Sequence, residues 1–124
     1  MSTYKELYKF YVENVPLTAN YYKEYIGFSH IKNSDTPDYS QTALLKYDDY
    51  ALILEKSENF KLTNEEVVLQ LGLNSVQMKN LYNEYKIKTR IHSVLFSSNA
   101  EIKEFSIRDC NGNIIHFKSK LFND

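Results

Sequence analysis

The sequence predicts an α+β protein built from two β-α-β-β-β modules in tandem, and three observations carry that reading. The hydrophobic pattern runs strand, helix, strand, strand, strand, and after a charged stretch the same order begins again. Asn20-Tyr21-Tyr22-Lys23-Glu24-Tyr25 matches Asn80-Leu81-Tyr82-Asn83-Glu84-Tyr85 about sixty residues on, each block lying on the helix after the first strand of its half. Last, Phe105 to Phe117 reads as two alternating runs around Asp109-Cys110-Asn111-Gly112-Asn113. Asn-Gly suits positive φ at both centres of a tight hairpin, and the Asp109 side chain can bond forward into the turn backbone.

The chain of 124 residues fits one domain with a real core, and at 43% hydrophobic residues it is not a disordered segment. With a net charge of −1 and no basic stripe, nucleic-acid binding has no electrostatic support. One cysteine gives no internal disulfide framework and suits a reducing cytoplasm. No apolar leader and no run of membrane-spanning length is read, so the expectation is a cytoplasmic protein with neither nucleic-acid nor membrane partners. Eleven Tyr and seven Phe stand beside no Trp. Tyrosine joins apolar bulk to a polar tip, which suits strands, interfaces and half-wet cavities.

Leu7 to Glu13 alternates as a first strand, with Tyr8, Phe10 and Val12 on one side and Leu7, Lys9 and Tyr11 on the other. A helix is predicted from about Pro16 to Tyr25, because Pro suits the first turn and Gly27 the stop. Its apolar stripe is read as Leu17, Tyr21 and Tyr25. Phe28 to Lys32 looks like a strand, Asn33 to Ser40 a polar loop with Pro37, and Gln41 to Lys46 with Tyr50 to Glu55 a hairpin across Tyr47-Asp48-Asp49. The charged segment of about 57–66 reads as a linker between a first module of about 4–56 and a second of about 67–122. In the second, Val67 to Leu73 is a strand with Leu69, Leu71 and Leu73 on one face. A helix capped by Asn74 or Ser75 follows, with Met78, Leu81, Tyr82 and Tyr85 as its stripe. Strands are predicted at Ile91 to Phe96, Ile102 to Arg108 and Asn113 to Lys118.

The segment Val12 to Phe28 resembles, without a gap, the opening of the glyoxalase, bleomycin-resistance and extradiol-dioxygenase group, the vicinal oxygen chelate superfamily. That opening reads V-x-D, a small hydroxyl residue, F-Y, then L-G-F; Tyr21-Tyr22 and Ile26-Gly27-Phe28 stand in its last two places, and Asn14 replaces the aspartate. Arg108 to Phe117 is similar to the group's R-D-P-x-G-N-x-I-x-F, with Cys110 in place of proline. The resemblance spans nearly the whole chain, 1–124, as a single domain. It implies two βαβββ modules in a curved, partly open mixed sheet around a small-molecule cavity, helices on the outer face, and a homodimer.

It also implies where a divalent ion would be held. The positions that carry metal ligands in such enzymes correspond to Leu7, Ile53, Val68 and His116 in this chain. Three aliphatic side chains and one imidazole do not make a divalent site, since ligation needs lone pairs on nitrogen, oxygen or sulfur. No cofactor is therefore expected. His116 is read either as a wall or solvent-facing histidine or as a general base or ligand contact. His30 and His92 have no carboxylate at a telling spacing, and Cys110 sits on an exposed turn without an activating neighbour.

Strand parity gives the lining of the implied cavity. Leu7 brings Lys9 and Tyr11 with it, Ile53 brings Ala51 and Glu55, Val68 brings Gln70, and His116 brings Ile114 and Lys118. Glu104, Ser106 and Arg108 share the face away from Phe105 and Ile107. The candidate ligand-binding residues are thus Lys9, Tyr11, Glu55, Gln70, Glu104, Ser106, Arg108 and His116. Their mixture of aromatic, amide and both charges suits a small, polar, partly aromatic organic ligand. The leading expectation is a binding protein that sequesters or senses such a molecule without metal, and the reading leans against an enzyme. The alternatives are a glyoxalase-like lyase or dioxygenase using ligands such as His30, Glu55, His92, Glu104 or His116, and a non-catalytic interaction module.

Overall fold

The computed structural model describes residues 4–31, 41–58, 65–97 and 102–119. The strand order β1-β4-β3-β2 in one sheet and β5-β8-β7-β6 in the other is the same order, used twice. The chain divides into two compact units, Met1–Glu65 and Glu66–Asp124, and each holds one sheet and one helical segment. Neither sheet closes on itself. The expected loop at 33–40 and most of the expected linker fall outside the described residues.

In the first unit, β1 (Glu6–Val12) runs parallel to β4 (Tyr50–Lys56), β3 (Thr42–Tyr47) runs antiparallel to β4, and β2 (Ser29–Ile31) antiparallel to β3. A parallel first pair requires a crossover, and α1 (Val15–Tyr21) supplies it. Asn14 caps α1, its Oδ1 accepting from the Leu17 N–H at 3.0 Å, with Pro16 in the first turn. The predicted helix does not continue as α-helix to Tyr25. It widens into a π-helical turn over Tyr22–Ile26 and ends at Gly27, whose φ of 99° is left-handed. The N–H groups of Gly27 and Phe28 both reach the Tyr22 carbonyl, at 2.9 and 3.0 Å.

The expected stripe of Leu17, Tyr21 and Tyr25 is corrected. Leu17 and Tyr25 are 63% and 47% exposed, whereas Val15, Thr18, Ala19, Tyr22 and Ile26 are buried. The true stripe runs i, i+3, i+4, i+7, i+11 and contains a threonine, so matching only large apolar letters selects the wrong face. Tyr22 packs edge-on against Phe28, and Phe28 against Tyr47, over the face that also carries Tyr8, Phe10, Leu45, Leu52 and Leu54.

In the second unit, β5 (Val67–Leu71) is parallel to β8 (Ile114–Ser119), and β8, β7 (Lys103–Arg108) and β6 (Arg90–Ser97) follow antiparallel. β5 stops at Leu71, short of the expected Leu73. The crossover α2 (Ser75–Lys88) starts with a reciprocal cap: Asn74 Oδ1 accepts from the Gln77 N–H and Gln77 Oε1 from the Asn74 N–H, each at 2.9 Å. Its buried side is Met78 and Tyr85, with Leu81 and Tyr82 half-buried, which is the expected stripe. Tyr82, Tyr85, Phe105 and Phe117 form an aromatic cluster with centroid separations of 5.1–6.0 Å, so α2 lies on the face of Phe105, Ile107, Ile115 and Phe117.

The closing hairpin is present, but its turn differs from the expected one. Only Gly112 has positive φ, at 85°; Asn111 does not. Gly112 N–H donates to the Asp109 carbonyl at 3.1 Å and Asp109 N–H to the Asn113 carbonyl at 2.8 Å, a type I turn completed by a left-handed glycine. The loop is therefore Cys110, Asn111 and Gly112, one residue longer than an Asn-Gly loop, and Asn113 closes it against Asp109. Asp109 is buried and bonds forward as expected, its Oδ1 accepting from the N–H groups of Asn111 and Asn113, both at 2.8 Å.

Candidate functional site

Each sheet has one face under its helix and one without a helix, and the alternation of β-strand side chains sorts the candidate residues cleanly. In the first unit, Leu7, Lys9, Tyr11, Leu44, Ile53 and Glu55 lie on the face opposite the core. Register places Lys9 opposite Ile53 and Ile53 opposite Leu44, while Leu7 lies opposite Ala51. Lys9 Nζ is 3.8 Å from the Glu55 carboxylate and 5.8 Å from the Tyr11 ring centroid, so it lies near two other predicted lining residues. Both ends of that ion pair are more than two-fifths exposed, so it contributes little to stability.

The second unit presents a more polar face. Val68, His116, Ser106 and Ser93 form one cross-strand row, and Gln70, Lys118, Glu104 and Phe96 form the next. On the other side, Ile114 faces Arg108, and Arg108 faces Arg90. Like charges directly opposite each other repel, and neither guanidinium makes an ion pair with a described residue. Ser106 is fully buried, and its Oγ has no hydrogen-bond partner among the described residues. A buried hydroxyl left unpaired costs on the order of 1–3 kcal/mol.

His116 is half-buried, and its Nε2 lies 3.1 Å from the Glu66 carboxylate. A neutral ring that donates its Nε2–H to this carboxylate keeps Nδ1 as an acceptor. Sequence reasoning placed Glu66 in the linker and left Arg90 outside the sixth strand. Extending each strand by one residue recovers both, since Glu66 shares the parity of Val68 and Arg90 lies one step from Ile91 on the opposite side.

The positions where the resemblance would put a metal do not fit one. Leu7, Ile53 and Val68 carry no lone pair, and no group of three or more His, Cys, Asp or Glu side chains among the described residues is arranged to hold an ion. His92 is exposed on β6 and His30 stands on β2; neither joins a cluster of donors among the described residues. Cys110 is exposed on the turn, as expected.

The fold is that of solved glyoxalase/bleomycin-resistance/dioxygenase proteins. TioX from Micromonospora sp. ML1 superposes with a TM-score of 0.75 at 10% identity, covering 94% of this chain and 98% of that one. A glyoxalase/bleomycin resistance protein/dioxygenase from Alicyclobacillus acidocaldarius gives 0.71 at 16% identity, with 95% and 91% covered. The bleomycin-binding protein from bleomycin-producing Streptomyces verticillus, solved with copper(II)-bleomycin, gives 0.70 at 17% identity, with 92% and 93% covered. No protein-family model and no curated protein matches the sequence. At these identities the likeness is one of fold, and function rests on the residues of the site.

Proposed function

We propose that this protein binds a small organic molecule without a metal ion, and that the helix-free face of the second module recognises it. The observation that carries the reading is the composition of that face. Arg108 and Arg90 stand opposite each other without a counter-charge among the described residues, the His116–Glu66 pair lies in the next row, and Gln70, Lys118 and Glu104 lie in the row beyond it. A ligand carboxylate would relieve the repulsion between the two guanidinium groups and accept bidentate hydrogen bonds. Phe96 on the same face offers a ring for an aromatic body. The ligand class is therefore a small, partly aromatic carboxylic acid. The neighbouring bleomycin-binding fold supports the idea that such a scaffold can serve as a receptacle rather than an enzyme.

A thermal-shift titration with benzoate, 4-hydroxybenzoate and phenylacetate tests this, because a ligand that binds only the folded form raises the melting temperature with concentration. The expected result is a concentration-dependent rise that Arg108→Gln abolishes. Native mass spectrometry of the purified protein should show a co-purified organic mass, and metal analysis no stoichiometric divalent ion. Zinc, nickel, manganese or iron at one equivalent, lost on His116→Ala, would overturn the reading and favour a glyoxalase-like lyase or dioxygenase. The same proposal takes the protein to be a cytoplasmic homodimer, and light scattering after gel filtration should give twice the mass of 14.6 kDa.

A further inference from the structure

The helix-free face of the second module has two unlike ends. Arg108 and Glu104 lie on that face of β7, four residues apart, and both are half-buried. Neither side chain makes an ion pair or a hydrogen bond among the described residues, and nor does Lys118, which stands opposite Glu104 on β8. Charges held part-way out of water without partners carry a desolvation cost that a ligand of matching polarity would offset. Ser106 stands between the two ends and is fully buried. A molecule lying along β7 therefore meets the charges at either end and not the hydroxyl.

At the first end Arg108 faces Arg90, so two positive charges stand together. At the second, Glu104 faces Lys118 on one side and Phe96 on the other. The opposite charges there offset each other, and what remains is an acceptor beside a donor. A second carboxylate would be repelled by Glu104, and an ammonium by Lys118. A carboxamide suits both, since its N–H donates to the Glu104 carboxylate while its carbonyl accepts from the Lys118 ammonium. Spacing sets the length of the ligand. Four residues of strand span about 13 Å, and strand side chains stand roughly perpendicular to the sheet. Two hydrogen bonds of about 3 Å leave roughly 7 Å between the outer polar atoms of the ligand, the span of a benzene ring carrying planar polar groups at opposite positions.

From these two ends, and resting on the carboxylate-binding role proposed for the face, we infer that the ligand is an aromatic acid with a carboxamide opposite its carboxylate, and that Glu104 is the residue that selects it. The carboxylate lies between Arg108 and Arg90, the ring crosses above Ser106, and the amide N–H ends on Glu104. Phe96, which is 45% exposed, borders the ring on the β6 side.

Calorimetric titration of the full chain with three acids of nearly equal size tests this. 4-Carbamoylbenzoate, 4-acetylbenzoate and terephthalate differ only at the far end: a donor with an acceptor, an acceptor alone, and a second anion. In the unaltered protein the amide should bind roughly tenfold or more tighter than the ketone, as expected for a hydrogen bond to a charged acceptor, and terephthalate should bind most weakly. Glu104→Leu should bring amide and ketone to the same affinity without weakening the ketone. Glu104→Gln, which keeps an acceptor oxygen, should retain part of the preference. Melting of each unliganded variant checks that it folds, and the comparison of the three acids in the unaltered protein stands without any variant. Equal affinity of amide and ketone, tighter binding of terephthalate than of the amide, or a preference that survives Glu104→Leu would each overturn the role of Glu104 while leaving the arginine–carboxylate contact in place. Failure of all three acids and of benzoate to bind would overturn that contact and the role of Glu104 with it.

Discussion

Ser106 and His116 face each other across β7 and β8: Ser106 Oγ is buried without a partner among the described residues, while His116 Nε2 lies against Glu66. They sit at the centre of the polar sheet face, directly beside Arg108. The arrangement gives a row of polar groups whose mutual satisfaction is incomplete, which is common where a protein meets a ligand and uncommon in a plain core.

Replacing Ser106 by Ala should leave the unliganded protein as stable or up to about 1 kcal/mol more stable, because it removes a buried hydroxyl that bonds to no described residue. Urea unfolding of the two proteins side by side measures it. A loss above about 2 kcal/mol would mean that the hydroxyl has a partner.

Asp109→Ala should destabilise by about 2–3 kcal/mol. The carboxylate is buried and receives the N–H groups of Asn111 and Asn113 and the Asn113 amide at 3.3 Å, and charge-assisted bonds of this kind are the stronger ones. Asp109→Asn, which keeps an acceptor oxygen but no charge, should cost about half as much. Equal losses for the two variants would show that charge plays no part.

Tyr22→Ala should cost about 3–5 kcal/mol and Leu17→Ala less than about 0.5 kcal/mol, since the first is fully buried and the second is 63% exposed. Thermal denaturation of the pair decides between the two candidate stripes of α1. A larger effect at Leu17 would restore the face that the large apolar letters suggested.

Gly27→Ala should lose about 1 kcal/mol. The nearest atom to an added Cβ is Tyr47 Cε2 at 3.9 Å, an ordinary contact, so the cost is that of a left-handed φ of 99° and not of crowding. Gly27→Asn, which tolerates that region better, should lie between the two in melting temperature.

Much of the architecture was legible in the letters. Period-2 runs located every described strand to within two residues at either end, and the parity of Lys9, Tyr11, Glu55, Gln70, Glu104, Ser106, Arg108 and His116 assigned each to the helix-free face on which it lies. Alternation is a local property of the extended backbone, so it needs no knowledge of what packs where. The duplicated order was equally readable, because Pro16 and Gly27 bound the first helix and Asn74 marks the start of the second.

Other features depended on contacts between distant residues. The buried stripe of α1 includes Thr18 and Ala19, and only the sheet beneath it decides that those small residues face inward while Leu17 faces water. The turn at Asp109 closes as type I because Asp109 N–H finds the Asn113 carbonyl, a register that Asn-Gly alone does not specify. His116 acquires Glu66, and Arg108 acquires Arg90, through strand pairing across fifty and eighteen residues of chain. By itself, then, the sequence determined the elements, their order, the faces of the strands and the aliphatic side chains at Leu7, Ile53 and Val68, because each follows from local periodicity or residue chemistry. Only the tertiary structure decided which charges meet, which hydroxyl is left over and which helix face is buried, because those depend on registers set by packing far along the chain.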